Sequence, residues 1–367
     1  MLLLASASRA ADPLVYVGTY TGTGSKGIYA FRLQTKTGKL TPLGVAGETS
    51  NPSFLVVNPN RRFLYAVNEN GTERQMGSVS AFAIDPPSGK LTFLNWVSSR
   101  GGSPCHLTLD RTGRWLAVAN YGSGSFAVLP VRNDGSLGES VAFQQHAGSG
   151  PNPARQRGPH AHCVLFSPDN RYLLVADLGL DRVMVYRFDP ATGAVLANDP
   201  PFGSVPPGAG ARHLMFHPNG RYLYAVDEMA SAVTAFAWDA GRGALDPLQT
   251  VSALPETFHG VSNAAELAIG LGGTRLYASN RGHDTIAMFT IDPLRFTLTP
   301  MEYEPILGKT PRHFALDPTG KYLLAEGQDS DDIAVFKLNP RSGQMAPARH
   351  LIVRLPRPVC LVFVQPR

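Results

Sequence analysis

Cysteine is scarce in this chain: Cys105, Cys163 and Cys360 are the only three among 367 residues. They are odd in number, far apart and free of any Cys-x-x-Cys spacing. That excludes a disulfide framework and a cysteine-built zinc site. Buried free thiols within strands are the expectation for all three. No run of about 18 apolar residues occurs, so no membrane span is expected. Lysine and arginine nowhere cluster in a long run, and the net charge is only +5. A basic tail for nucleic acid is therefore excluded, and no nucleic-acid partner is expected. Low-complexity tracts are missing, which excludes a disordered chain. No apolar pattern keeps a helical period for long, so helices are not expected.

Two chemistries are also argued against by absence. No Gly-x-Ser-x-Gly elbow sits at a strand-to-helix turn, so a serine acyl-enzyme is disfavoured. The pair His160 and His162 offers two imidazoles but no third ligand in the sequence, so no metal and no cofactor is expected.

What the chain has in quantity is glycine, 37 residues, and proline, 30 residues, spread evenly. Such spacing suits many short strands joined by turns. A repeat confirms that pattern. PSFLVVNPNRRFLYAVNE (52–69), PCHLTLDRTGRWLAVANY (104–121), AHCVLFSPDNRYLLVADL (161–178), ARHLMFHPNGRYLYAVDE (211–228), AAELAIGLGGTRLYASNR (264–281) and PRHFALDPTGKYLLAEGQ (311–328) share one grammar. An apolar strand leads into a Pro/Asp/Asn/Gly turn, and a second strand rich in Tyr, Leu, Val and Ala returns. A third strand and a fourth follow before the unit restarts about 50 residues on.

Four strands per unit, repeated, predict an all-β fold: a β-propeller. Six units are complete. The N-terminal segment supplies strands two, three and four of a seventh, and PVCLVFV (358–364) supplies its first strand. Pairing the terminal strands in one blade closes a seven-bladed ring and removes exposed edges. Residues 13–367 are read as this single domain, and a monomer is expected. Residues 1–12, MLLLASASRAAD, read as the tail of a signal peptide or as a disordered N-terminus. Periplasmic or secreted location is the expectation, with the cytoplasm as the alternative.

In such a ring the first strand of each blade lines the axis, and the second runs antiparallel beside it. The start of the one and the end of the other therefore share one face. At the start stand Ser53, Cys105, His162, Arg212, Ala265 and Arg312, followed one residue on by Phe54, His106, Cys163, His213, Glu266 and His313. At the end stand Tyr20, Glu69, Tyr121, Leu178, Glu228, Arg281 and Gln328. Polar side chains are expected at this rim and few below it. His106, His213 and His313 read best as ties between strands. His162, Arg212, Glu228 and Arg281 combine two guanidinium groups with two proton-transfer groups, a pattern suited to an anionic substrate.

These motifs resemble one family. YVGTYT (16–21), PCHLTLDRTGRWLAVANY, GPHAHCVLFSPDNRYLLVADLGLDRV (158–183), RHLMFHPNGRYLYAVDE (212–228), SNRGHDTIAMF (279–289) and DPTGKYLL (317–324) are similar to those of the seven-bladed lactonases typified by 6-phosphogluconolactonase. A fungal carboxy-muconate cyclising enzyme shares that fold. The resemblance spans residues 13 to 367. It implies a catalytic set of His162, Arg212, Glu228 and Arg281. One departure is Val226-Asp227-Glu228, where Val-Asn-Glu is frequent.

The expected activity is hydrolysis of a lactone, an anionic sugar lactone such as 6-phosphogluconolactone. Glu228 or His162 would be the base. His160, Glu69, His106, Tyr121, Glu266, Arg155 and Arg157 are assigned to substrate binding, the two loop arginines as phosphate contacts. Two rivals stand beside it: a lyase interconverting muconates and muconolactones on the same rim, and a non-catalytic propeller that binds a partner.

Overall fold

In the inner hairpins of the six sequence repeats the two apolar strands are joined by a turn whose third or fourth residue takes a left-handed conformation. Glycine supplies it at Gly113 (φ 69°), Gly220 (φ 71°) and Gly320 (φ 67°), and Asn170 (φ 63°) and Arg61 (φ 58°) adopt it as well. Side chains brace these turns. Asp110 accepts the backbone N–H groups of Thr112, Arg114 and Trp115, and Asp317 does the same for Thr319, Lys321 and Tyr322. Such Asx contacts fix the turn and with it the strand register.

The computed structural model describes residues 12–366 except Thr23, Glu73 and Arg74. The leader-like reading therefore falls, apart from Asp12, outside the described residues. Seven antiparallel sheets are arranged in a ring. Blade 1 pairs Pro358–Val364 with Leu14–Thr19, then adds Gly27–Leu33 and Leu40–Glu48, so both ends of the chain close the ring as expected. The inner strands of blades 2 to 7 are Leu55–Val57, Pro104–Leu109, Ala161–Phe166, Ala211–Phe216, Asn263–Gly270 and Pro311–Leu316. Blade 7 departs slightly, because its outer edge is split into Met345–Pro347 and Val353–Arg354. The described helices are two short 3₁₀ turns, Leu271–Gly273 and Arg349–Leu351. No helix among the described residues is long and apolar enough to cross a membrane.

The core lies between neighbouring blades. Leu174 and Val185 of blade 4, for instance, pack with Leu223, Phe236 and Trp238 of blade 5. Each large apolar side chain so buried contributes about 1.5–3 kcal/mol. The three cysteines are buried and free.

One feature of the inner strands positions everything that follows. In blades 1, 3, 4, 5, 6 and 7 the register slips by one residue near the strand's start. An extra residue in one strand re-aims its side chain. In a regular strand, neighbours 212 and 213 would face opposite sides. Here Arg212 Nη1 lies 3.3 Å from His213 Nε2, so both face the axis.

Candidate active site

Because of these bulges, two layers of polar side chains fill the channel instead of the single rim expected. The lower layer holds His106, His213, His313 and Glu266, all buried. His213 Nδ1 donates to Glu266 at 3.0 Å, and His313 Nδ1 lies 2.9 Å from Glu326 Oε2. His106 packs 4.1 Å from the Phe54 ring and 5.0 Å from His213. Burial and the neighbouring His213 hold the His106 pKa well below the usual imidazole value. Burial likewise takes His213 down to about 4, with Glu266 opposing. A cavity of ≈ 400 Å³ runs along the axis past this layer. His106 and Glu266 thus sit beneath the mouth, tied to their neighbours.

The upper layer is the mouth. Glu228, at the end of the second strand of blade 5, is its centre. Glu228 Oε2 accepts from Arg212 Nε at 2.9 Å and meets Arg281 Nη2 at 2.9 Å. Its Oε1 accepts from Arg155 Nη2 at 2.8 Å. Burial alone would raise the Glu228 pKa, but Arg281, Arg212 and Arg155 outweigh it and bring it down to about 2. Arg212 is only 1% exposed. Burial, with Arg281 and Arg312 close by, takes its pKa down to about 10. It also donates to the Ala265 carbonyl, while Arg281 bonds those of Asn263 and Ala264.

His162, the bulged residue of blade 4, faces the same mouth. Its ring lies 5.2 Å from His213 and 5.5 Å from Tyr121, and Nδ1 is 3.8 Å from Cys105 Sγ. No described residue bonds its Nε2. Burial and the Arg212 charge push its pKa well below the usual value, which leaves the ring neutral at neutral pH. His160 stacks on Tyr121 at 4.5 Å and donates from Nδ1 to the Tyr121 carbonyl at 2.9 Å. The four residues singled out as catalytic therefore gather at one end of the channel, and His160, Tyr121 and Arg155 adjoin them.

Arg155 arrives on a loop that the repeat does not contain, and Asp177 clasps that loop at both ends. Asp177 Oδ2 is 2.6 Å from His146 Nδ1, and Oδ1 accepts the His160 N–H at 2.7 Å. Fully buried Gln156 pins the middle by donating to the Leu178 carbonyl and to Asp181. Replacing Asp177 by alanine is expected to free this loop. Trypsin cleavage after Arg155 and Arg157, followed by mass spectrometry, should quicken about tenfold, the effect of a local opening made cheaper by roughly 1.4 kcal/mol. An unchanged rate would place the restraint elsewhere.

Two arginines do not behave as the sequence implied. Arg155 is already engaged by Glu228 and by the Tyr121 hydroxyl. Arg157 is exposed, bonds the Pro153 carbonyl and lines a side pocket with Ser123, His146 and His160 rather than the mouth. The opposite half of the mouth holds Glu69, which accepts from the Tyr20 hydroxyl at 2.8 Å. Beside it stands Arg312, 3.6 Å from Glu69, at a rim position that sequence reasoning recorded without giving it a role.

The family model described as a seven-bladed β-propeller lactonase matches residues 14–363. The chain belongs to this lactonase family. A 6-phosphogluconolactonase of Bacillus subtilis (strain 168) is 35% identical over 349 residues, covering 95% of this chain and 97% of its own. A 6-phosphogluconolactonase of Formosa agariphila is 32% identical, with 90% and 94% covered. Among solved structures, the periplasmic gluconolactonase of Pseudomonas aeruginosa superposes with a TM-score of 0.90 at 39% identity, covering 96% of this chain and 99% of that one. Lactonase membership thus rests on the whole ring, from the closing blade through all seven sheets.

Proposed function

We propose that this family member hydrolyses a sugar lactone at the mouth, with His162 as general base and Arg212 and Arg281 as the oxyanion donors. The observation that carries the reading is an asymmetry in how the polar groups are used. Glu228 is saturated by three guanidinium groups and is too acidic to take a proton from water. The His162 ring is neutral, and its Nε2 has no partner among the described residues. Arg212 Nη2 and Arg281 Nη1 have no partner among the described residues.

In this mechanism a water attacks the lactone carbonyl and gives its proton to His162 Nε2. The tetrahedral oxyanion is held by the arginines, whose donors are already oriented by Glu228. The ring C–O bond then breaks, and the departing oxygen takes the proton back from the imidazolium. A hydroxy acid is released. The Bacillus and Formosa names point to a phosphorylated gluconolactone, the Pseudomonas name to an unphosphorylated one, and both support a sugar-lactone substrate. The Pseudomonas name also supports placing the protein in the periplasm, as the leader-like residues do. The closed ring supports action as a monomer.

Purified protein mixed with δ-gluconolactone, 6-phosphogluconolactone and muconolactone, with acid release followed at constant pH, tests the assignment. Opening of a sugar lactone is expected, and turnover of muconolactone alone would favour the lyase. His162→Gln should lower kcat by about 10²-fold with little change in KM. Because the His162 pKa lies well below 6.5, kcat/KM should not decline as pH falls through 6.5. A decline there would remove His162 as the base.

A further inference from the structure

Four guanidinium groups face two carboxylates in the mouth, and the pairing is uneven. Arg155, Arg212 and Arg281 all spend donors on Glu228. Arg312 spends none. Its side chain is 15% exposed, yet its guanidinium makes no hydrogen bond to a described residue. Its contact with Glu69, at 3.6 Å, is longer than a hydrogen bond. The nearer partner of that carboxylate is the Tyr20 hydroxyl at 2.8 Å. None of the Arg312 nitrogens is among the sealed, unsatisfied atoms of the interior, so its donors open on the mouth.

Arg312 is not alone. Its guanidinium carbon lies 5.4 Å from the centre of the Tyr20 ring, and that of Arg357 lies 5.4 Å from the same ring. Arg357 is exposed and is held through its backbone, where its N–H donates to Asp331 at 2.8 Å and its carbonyl accepts from Tyr20 at 3.1 Å. Its guanidinium also has no hydrogen-bond partner among the described residues. Two cations thus share one aromatic ring, and the carboxylate near Arg312 is beyond hydrogen-bond distance. Arginine presents a planar fork of donors suited to a carboxylate or a phosphate, and an unused fork beside a second positive charge is an anion receptor. Arg312 is also close enough to disfavour positive charge on Arg212, Arg281 and His162, which puts it in the same depression as the reacting groups.

We propose that Arg312 and Arg357, set against Tyr20, bind a second anionic group of the substrate, a carboxylate or phosphate carried at the end remote from the lactone carbonyl. The choice of ligand rests on the sugar-lactone reading, but the receptor does not. The Glu228 half of the mouth then handles the carbonyl, and the Tyr20 half selects substrates by charge.

The test uses stable hydroxy acids, so it needs no turnover. Binding of D-gluconate, D-glucarate and 6-phospho-D-gluconate to the intact protein is measured by titration calorimetry. At least one of the two acids with a second anionic group should bind about tenfold or more tightly than gluconate, the range expected for charge-assisted hydrogen bonds. Which of the two does so separates carboxylate from phosphate. Arg312→Gln should erase that advantage, and Arg357→Gln, on the surface and safe for folding, should reduce it. Arg187→Gln, an equal change of charge on the exposed face of blade 4, should keep it. Equal binding of all three acids, or an advantage of the second anionic group that survives in both Arg312→Gln and Arg357→Gln, would overturn the proposal. A protein that binds that group through Arg312 yet opens no lactone would refute the hydrolase reading and leave the receptor standing.

Discussion

Arg212→Ala is expected to lower kcat/KM for lactone opening by about 10²–10³-fold, the loss seen when a fixed oxyanion donor is removed. It should also cost about 3 kcal/mol of stability, read as a shift in the denaturant midpoint. Both effects come from one side chain because Arg212 holds three groups at once. Nε meets Glu228 at 2.9 Å, while Nη1 reaches the Ala265 carbonyl and His213. The stability cost stays at the low end of the range for a broken buried pair, since Glu228 keeps Arg281 and Arg155. Arg212→Lys separates the two roles. An ammonium restores the charge but cannot reach three partners in different directions, so stability should recover more than activity. Full turnover in the alanine variant would remove Arg212 from the reaction.

The ring was readable because the second strand of each blade is short and buried on both faces and, in the six repeats, follows a turn with distinctive residues. SPDN (167–170) and HPNG (217–220) mark the same corner in two blades, and PVCLVFV fills the one missing inner strand. The gathering of His162, Arg212, Glu228 and Arg281 followed from blade phase alone. What stayed hidden depends on local departures from that phase. A bulge has no sequence mark of its own, yet it turns Arg212 and His213 to the same side and creates the lower polar layer. Hydrogen-bond saturation is hidden too. Arg155 and Arg312 look alike in sequence, but one is engaged by Glu228 and the other is open. Asp177 did leave a signal. The same repeat position is Asn68, Asn120 and Asn280 in blades 2, 3 and 6 but aspartate in blades 4 and 5, and in blade 4 that aspartate meets the extra loop.

The same comparison singles out Asp227, in the Val-Asp-Glu departure beside Glu228. In blades 3 and 6 the equivalent asparagine donates from Nδ2 to a carbonyl of the preceding blade, Asn120 to Ser99 and Asn280 to Ala253. Val205 occupies the matching place ahead of blade 5. Asp227 is fully buried, accepts from Thr234 through Oδ2 and leaves Oδ1 without a partner. Burial, with Asp181 adding to it and the Thr234 hydroxyl opposing, raises its pKa from 3.8 to about 8. The sign of the linkage follows. Between pH 3.8 and about 8 the folded protein keeps a proton that the unfolded chain has lost. Raising the pH across that window therefore favours unfolding, by an amount on the order of 5 kcal/mol in all, and the penalty is complete above it. Below the window both states are protonated and the penalty vanishes. Asp227→Asn removes the titrating group and supplies the donor that the other blades use. It is expected to raise stability at pH 8 by at least about 2 kcal/mol, the cost of an unsatisfied buried group, and to have little effect near pH 4. Denaturant midpoints of both proteins from pH 4 to 9 check this. Parallel curves would mean that the Asp227 carboxylate is ionised in the fold and held by a contact other than Thr234.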